Sequence, residues 1–296
     1  MGPLLFEVLP CLLGGMLLGR RWPALPSWLV PPLVRWGVPL SVAGLLLRST
    51  LSFSLLKVAL VALSVPLLIL AILLGLSPLR RRFRDPVLIL GAAVGNTGYW
   101  GLPVVLALLP PPAMATAVVY DVAGTLVTWS AGTWILLGAR GGQGRHLSTL
   151  LASPAMQGLL LSLLIHLSPW EGPLAAVLWW PARAVLVIAL GVLGMRLGLT
   201  LRHPAPDLPP GLPYALACKL LLIPALVGVL GTALALPALD RQALVLQGAA
   251  PTALSVLLMA EAHRESVDSV SAASALVISS TLAAMVTVPL WWGFLR

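Results

Sequence analysis

Two polar, helix-breaking interruptions hold the residues best suited to chemistry in this sequence. The first runs Gly91-Ala92-Ala93-Val94-Gly95-Asn96-Thr97-Gly98-Tyr99-Trp100-Gly101-Leu102-Pro103, the second Gln247-Gly248-Ala249-Ala250-Pro251-Thr252. Each sits inside a long apolar run. Glycine costs about 1 kcal/mol against alanine within a helix, and proline removes an amide donor and biases the residue before it away from helix. Neither run is therefore expected to be one continuous helix. A broken helix gives two short ones, and their amino ends carry unpaired N–H groups and a partial positive charge. Such ends favour an anion. Asn96, Thr97, Gln247 and Thr252 add neutral donors and acceptors that orient a carboxylate without burying a fixed charge. Together with Gly98, Gly101, Leu102, Pro103 and Pro251 they are the candidate substrate-binding residues. Pro103 is expected to open a second half-helix near Gly101-Leu102, and Pro251 to do the same in the later run.

A third element of this chemistry is Asp121, an acid within an apolar run. An ionisable group at membrane depth is a functional candidate by default, and a carboxyl there can take up a proton on one side and release it on the other. Its structural alternative is an acid bonded to hydroxyls or to a lysine. Lys57 and Lys219 are the candidate charge partners, each a few residues from an expected helix end, from which a lysine can snorkel to the interface. Arg48 and Arg196 read as end anchors, and Glu7 and Glu261 as interfacial acids.

The elements that must position these residues follow from composition. Of 296 residues, 59% are hydrophobic and 9% charged, which leaves no room for a soluble domain. Apolar runs long enough to cross a bilayer, about 20 residues each, fall at 4–19, 33–48, 54–77, 87–109, 113–138, 153–168, 182–201, 213–236, 242–262 and 270–294, while Trp170, Trp179 and Trp180 read as interfacial anchors. The fold class is thus an all-α polytopic membrane protein of ten transmembrane helices. The net charge of +9 reports orientation rather than a nucleic-acid partner: Arg20, Arg21, Arg35, Arg80, Arg81, Arg82, Arg84, Arg140, Arg145, Arg196, Arg202 and Arg264 gather on the odd-numbered connections and adjoining helix ends, against Arg48, Arg183, Arg241 and Arg296 on the other side. The positive-inside rule then puts both termini outside. Cys11 and Cys218 lie in spans as small apolar side chains, and no metal-ligand spacing or cofactor motif occurs.

The runs divide five and five around a Gly-rich connection. The expected units are a first repeat over 1–139, a cytoplasmic connection over 140–152 and a second repeat over 153–296. An odd number of spans per half inverts one half relative to the other. Weak echoes fit that relation: Val42-Ala43-Gly44 with Val192-Leu193-Gly194, Lys57 and Pro66 with Lys219 and Pro224, and Gly91-Ala92-Ala93 with Gly248-Ala249-Ala250. Broken helices at matching places in two inverted halves point to a transporter site near the bilayer midplane.

Asn96-Thr97-Gly98-Tyr99-Trp100-Gly101-Leu102-Pro103 resembles the Asn-Thr-x-x-x-Gly-x-Pro element of the auxin efflux carrier family, the plant PIN proteins and their bacterial relatives. Gln247-Gly248-Ala249-Ala250-Pro251 with Met259-Ala260-Glu261 is similar to the family's second crossover, and Tyr120-Asp121 and Lys219 with Pro224 also resemble bacterial members. The resemblance implies two five-helix inverted repeats whose fourth and ninth helices cross at Pro103 and Pro251. It further implies a scaffold unit supporting a moving transport unit, a homodimer, and an organic anion such as an auxin-like acid or a mono- or dicarboxylate as substrate. The central connection is short, unlike the long loop of many plant members, so a bacterial cytoplasmic membrane is the expected location.

Rival functions need residues that the sequence does not supply. Intramembrane aspartyl proteolysis requires paired carboxylates, and Asp85, Asp207, Asp240 and Asp268 all fall in expected connections. His146, His166, His203 and His263 form no His-Glu-x-x-His, and no Gly-x-Ser-x-Gly occurs. An enzyme is not expected. A sodium-coupled organic-anion symporter of the bile-acid-carrier type is the nearer alternative, with Asn96, Thr97 and Gln247 as oxygen ligands, although the hydroxyls of Ser269, Ser271, Ser274, Ser279, Ser280 and Thr281 read as helix contacts rather than as a sodium site.

Overall fold

A computed structural model describes residues 9–48, 53–137, 154–200, 208–262 and 266–296. Glu7, the whole connection over 140–152, and Arg202, His203, Asp207, His263 and Arg264 lie outside the described residues.

Helix is the only extended secondary structure among the described residues, with short non-helical links between the elements. In chain order the elements are α1 (Leu9–Arg21), α2 (Leu25–Leu46), α3 (Phe53–Gly75), the short α4 (Ser77–Phe83), α5 (Pro86–Ala93), α6 (Thr97–Leu108), α7 (Ala113–Leu137), α8 (Pro154–His166), α9 (Glu171–Thr200), α10 (Leu212–Ala233), α11 (Ala238–Gly248), α12 (Leu254–Ala262) and α13 (Val267–Leu295). Five of them, α2, α3, α9, α10 and α13, are long and apolar enough to cross a membrane. Their outward faces carry large apolar side chains, among them Trp28, Phe53, Val177, Val229, Leu290 and Phe294. Such faces belong in lipid, and together with helices of spanning length they make this a membrane-embedded protein.

Several boundaries differ from the sequence reading. The second apolar helix starts at Leu25 rather than 33, so Arg35 lies further inside α2 than the helix end expected for it; it stays exposed and stacks over Trp36, 5.1 Å from the ring centroid. The helix expected from 182 starts at Glu171 and runs through Pro181, which brings Trp179 into the interior while Trp170 and Trp180 remain outside. Arg48, at the end of α2, stacks over Trp179 at 4.7 Å and donates to the Ala175 carbonyl, as an end anchor would.

Three five-residue π turns interrupt the helices: Leu33–Gly37, Thr97–Gly101 and Cys218–Leu222. Each ends two residues before a proline, at Pro39, Pro103 and Pro224 respectively. A proline ring collides with the carbonyl four residues earlier and cannot donate to it, and a wider turn moves that carbonyl aside. At Pro224 the released acceptor is Leu220, and the Trp291 indole Nε1 donates to it at 2.9 Å.

Packing sorts the helices into two groups. In one, α1 lies along α9, and α2 packs on both α8 and α9. The α1–α9 contact is main chain on main chain: a β-carbon on Gly15, Gly19, Gly194 or Gly198 would fall on the opposing backbone. Membrane helices associate through such small-residue stripes because lipid tails are as apolar as their side chains. The other group holds α3, α5, α6, α7 and α10 to α13, with α3 and α11 against α7, α10 against α11, and α12 against α13.

Candidate functional site

At the heart of the second group two chain segments cross. Helix α5 ends at Ala93, the chain runs extended through Val94, and α6 begins at Thr97. In the later run α11 ends at Gly248, residues 249–253 are not helical, and α12 begins at Leu254. The two links pass antiparallel, with Gly95 paired to Thr252. The Asn96 amide donates to the Pro251 carbonyl at 2.7 Å and the Ala253 amide to the Val94 carbonyl at 3.2 Å. This single rung satisfies backbone groups that lipid could not. With 8 residues in α5 and 11 in α11 ahead of the breaks, the crossing lies about 12 to 17 Å along each run, near the middle of a bilayer core of about 30 Å.

The two prolines fare differently. The regular α-helix of the first break starts at Leu102 with Pro103 in its first turn, as expected, but a π turn over Thr97–Gly101 runs into it, so the half-helix as a whole begins at Thr97. Asn96, with ψ of 61°, makes the turn, and its carbonyl accepts from both the Trp100 and Gly101 amides at 3.1 Å. Pro251 lies in the extended link, before α12 rather than in its first turn. The crossing thus pairs Gly95 with Thr252 and takes in the Pro251 carbonyl, while Pro103 lies away from it, inside α6.

A cavity of about 180 Å³ opens beside the crossing, between the two helix groups. Its polar wall is Asn96, Thr97, Gly98 and Tyr99 at the amino end of α6, Asp121, Thr125 and Thr128 on α7, and Ser255 at the amino end of α12. The apolar wall comes from Val34, Val38 and Val42 on α2 and from Val185, Ala189 and Val192 on α9. No lysine or arginine is among the lining residues. The amino ends of α6 and α12 therefore face one space, where their first amides have no carbonyl of their own helix to bond. The Asn96 side chain is 5% exposed, and its Nδ2 has no hydrogen-bond partner among the described residues. A buried amide N–H left unpaired costs free energy, and Asn96 also lines the cavity, which makes it a candidate contact for an acceptor bound there.

Asp121 stands over the first turn of α6. Its Oδ1 accepts from the Thr97 hydroxyl at 2.5 Å, and a β-carbon on Gly98 would come within 3.2 Å of the same oxygen. Asp121, Thr125 and Thr128 follow one another at one-turn spacing, so α7 offers the cavity a single polar stripe. The Tyr99 phenol lies within range of the charges of Asp121 and Arg196. Tyr99, Thr125, Thr128 and Ser255 are not among the binding residues expected from the sequence; the stripe is readable from spacing, whereas the cavity position of Ser255 depends on the crossing.

Other expected site residues are placed differently. Leu102 lines the cavity, while Gly101, Pro103, Gln247, Pro251 and Thr252 do not. Gln247 is fully buried between α6 and α7, where its Nε2 donates to the Ala117 carbonyl at 3.1 Å and its amide fills the space beside Gly101. Thr252 is also fully buried: its hydroxyl donates to the Gly91 carbonyl at 2.9 Å, and its amide donates to the Ser280 hydroxyl at 3.0 Å. No ion pair joins Asp121 to Lys57 or Lys219 among the described residues. Lys57 donates to the Leu234 carbonyl at 3.0 Å, and Lys219 to the Gly248 carbonyl at 2.7 Å. Lys219 is 1% exposed, so it does not snorkel. Asp85 caps α5 by accepting from the Val87 amide and also holds the Ser269 hydroxyl, and Asp240 accepts from Thr116.

Two archaeal proteins are similar to this chain. An uncharacterized transporter of Methanothermobacter thermautotrophicus is 28% identical over 211 residues, and one of Methanocaldococcus jannaschii is 25% identical over 211 residues. Each match takes in 69% of this chain and 66% of the relative, so the chain spans just under two thirds of the curated relatives it matches. No protein-family model matches the sequence.

Proposed function

We propose that this protein is a secondary carrier that moves a small organic anion across the cytoplasmic membrane by alternating access. The observation that carries this reading is the convergence of two half-helix amino ends and the unpartnered Asn96 amide on one cavity between two helix groups. Partial positive charge and free donors at those ends bind a carboxylate without a basic side chain. The apolar wall suits the body of an amphipathic monocarboxylate such as an auxin-like acid. The second charge of a dicarboxylate would meet no lysine or arginine on the wall. The transporter description of the two archaeal relatives agrees with the reading, and we further propose that the chain belongs to the auxin efflux carrier family, with its inverted repeats.

Asp121 supplies the coupling in this scheme. Its carboxyl already stands at the amino end of α6, where an ionised form would compete with the substrate for the same donors. A substrate anion binds when Asp121 is protonated, so proton and anion travel together. Rocking of the crossing group against the α1, α2, α8 and α9 group would then open the cavity to either side. The purified protein in liposomes tests this with labelled indole-3-acetate, benzoate and succinate under pH, voltage and sodium gradients imposed one at a time. Saturable monocarboxylate flux driven by the pH gradient is the expected result. Flux driven by sodium alone would favour the bile-acid-type symporter, and absence of flux for every acid would overturn the reading.

A further inference from the structure

Lys219 takes no part in the scheme above, yet it is the most deeply buried cation among the described residues. Its Nζ donates to the carbonyl of Gly248, the last residue of α11. A β-carbon on Gly95 would stand 3.2 Å from the same nitrogen, so the ammonium lies where the half-helix ends and the opposing link crosses. No carboxylate pairs with it among the described residues. The carbonyl end of a helix carries partial negative charge, and half-helix carboxyl ends with unwound backbone are where membrane carriers hold monovalent cations. The other half-helix is closed differently: at the end of α5 the Gly91 carbonyl receives the neutral hydroxyl of Thr252.

We propose that Lys219 is a tethered monovalent cation, its ammonium filling at the end of α11 a site that a sodium or small alkylammonium ion enters once the side chain is cut back. The intact crossing then takes no cation from solution. Lysine suits this role because its charge is a compact point on a flexible stem, able to sit on a carbonyl as an ion would. The proposal rests on the packing of the crossing and not on the carrier reading, so its test does not use transport.

Thermal unfolding of the purified protein in detergent is followed in choline chloride, sodium chloride and propylammonium chloride for the wild type, Lys219→Ala and Lys219→Met. The wild type should unfold at one midpoint in all three salts. In choline, both variants should fall by roughly 5 to 10 °C, as expected for loss of a buried hydrogen bond from a charged donor. Lys219→Ala should recover at least half of that fall in sodium or propylammonium, while Lys219→Met, whose side chain occupies the space, should recover none. If Lys219→Ala can be purified only with one of those cations present, that supports the proposal equally. An alanine variant as stable as wild type in choline would overturn it. So would equal recovery of both variants, or no recovery of the alanine variant in any salt.

Discussion

The two breaks look alike in sequence, each a Gly-Ala-Ala step with polar neighbours in an apolar run, but they do opposite work. At the first, Asn96 keeps a free amide donor, and Thr97, Gly98 and Tyr99 face the cavity. At the second, Gln247 and Thr252 are fully buried and face no cavity: the Gln247 Nε2 and the Thr252 hydroxyl donate to the Ala117 and Gly91 carbonyls, while the Gln247 Oε1 has no partner among the described residues. The difference follows from what each link needs. Two extended links crossing in lipid need partners for their carbonyls and amides, and the side chains of the second break fill gaps that the single rung leaves. One break is thus a clasp, which frees the other to meet a ligand.

Gly101→Ala should give the largest effect, because it strikes the clasp where the two halves touch. The new β-carbon would overlap the Gln247 amide, and overpacking of this kind costs up to about 3 kcal/mol. Unfolding of Gly101→Ala, Gln247→Ala and the double variant measures the coupling. The double variant should be more stable than the sum of the two single losses by at least about 1 kcal/mol, since removing the amide removes the collision.

Asn96→Ala and Thr252→Val test the division of labour directly. Loss of the Asn96 donor should reduce flux of the transported acid by about tenfold, the effect of a hydrogen bond worth about 1.4 kcal/mol to the bound state, while the unfolding midpoint moves by no more than about 2 °C. Thr252→Val strands the Gly91 carbonyl and should lower the midpoint by roughly 3 to 8 °C. If Asn96→Ala lost stability and kept its flux, the roles assigned to the two breaks would have to be exchanged.

Proton coupling sharpens the comparison, since Asp121, the one acid among the described cavity residues, stands on α7 and bonds to Thr97 of the first break. If the anion binds only with Asp121 neutral, its affinity falls as pH rises above the titration of Asp121, by at most about tenfold per unit. Asp121→Asn is neutral at every pH and should show flat affinity, with transport no longer driven by a pH gradient. A pH response retained in Asp121→Asn would assign the proton to another group.

Composition and periodicity made the helices legible, and Gly95, Asn96 and Pro251 marked where two of them break. Which polar residues would face the cavity was less legible. Gln247 and Thr252 have the same chemical types as Asn96 and Thr97, and only the pairing of Gly95 with Thr252 decides which pair points to open space and which to protein. Pro103 was legible in part. It stands in the first turn of the regular helix from Leu102, but the π turn over Thr97–Gly101, which carries the clashing carbonyl aside, extends the half-helix back to Thr97. The start of α2 was obscured by Pro31 and Pro32, which read as a connection yet lie within a helix.

Lys57 and Lys219, the two lysines that the sequence echoes pair, extend the comparison beyond the breaks. Each donates to a main-chain carbonyl at the end of a helix, Lys57 to Leu234 after α10 and Lys219 to Gly248 at the end of α11. Lys57 is only part-buried, and an end that water can reach needs its lysine less, because water can satisfy the same carbonyl. Lys57→Met should therefore cost no more than about 1 kcal/mol, an unfolding shift of about 2 to 4 °C that is the same in choline and sodium. A loss at Lys57 as large as that at Lys219 would mean that burial at the crossing does not set the difference, and that both halves depend on their lysine for a common reason, such as the docking of α3 and α10 on their neighbours.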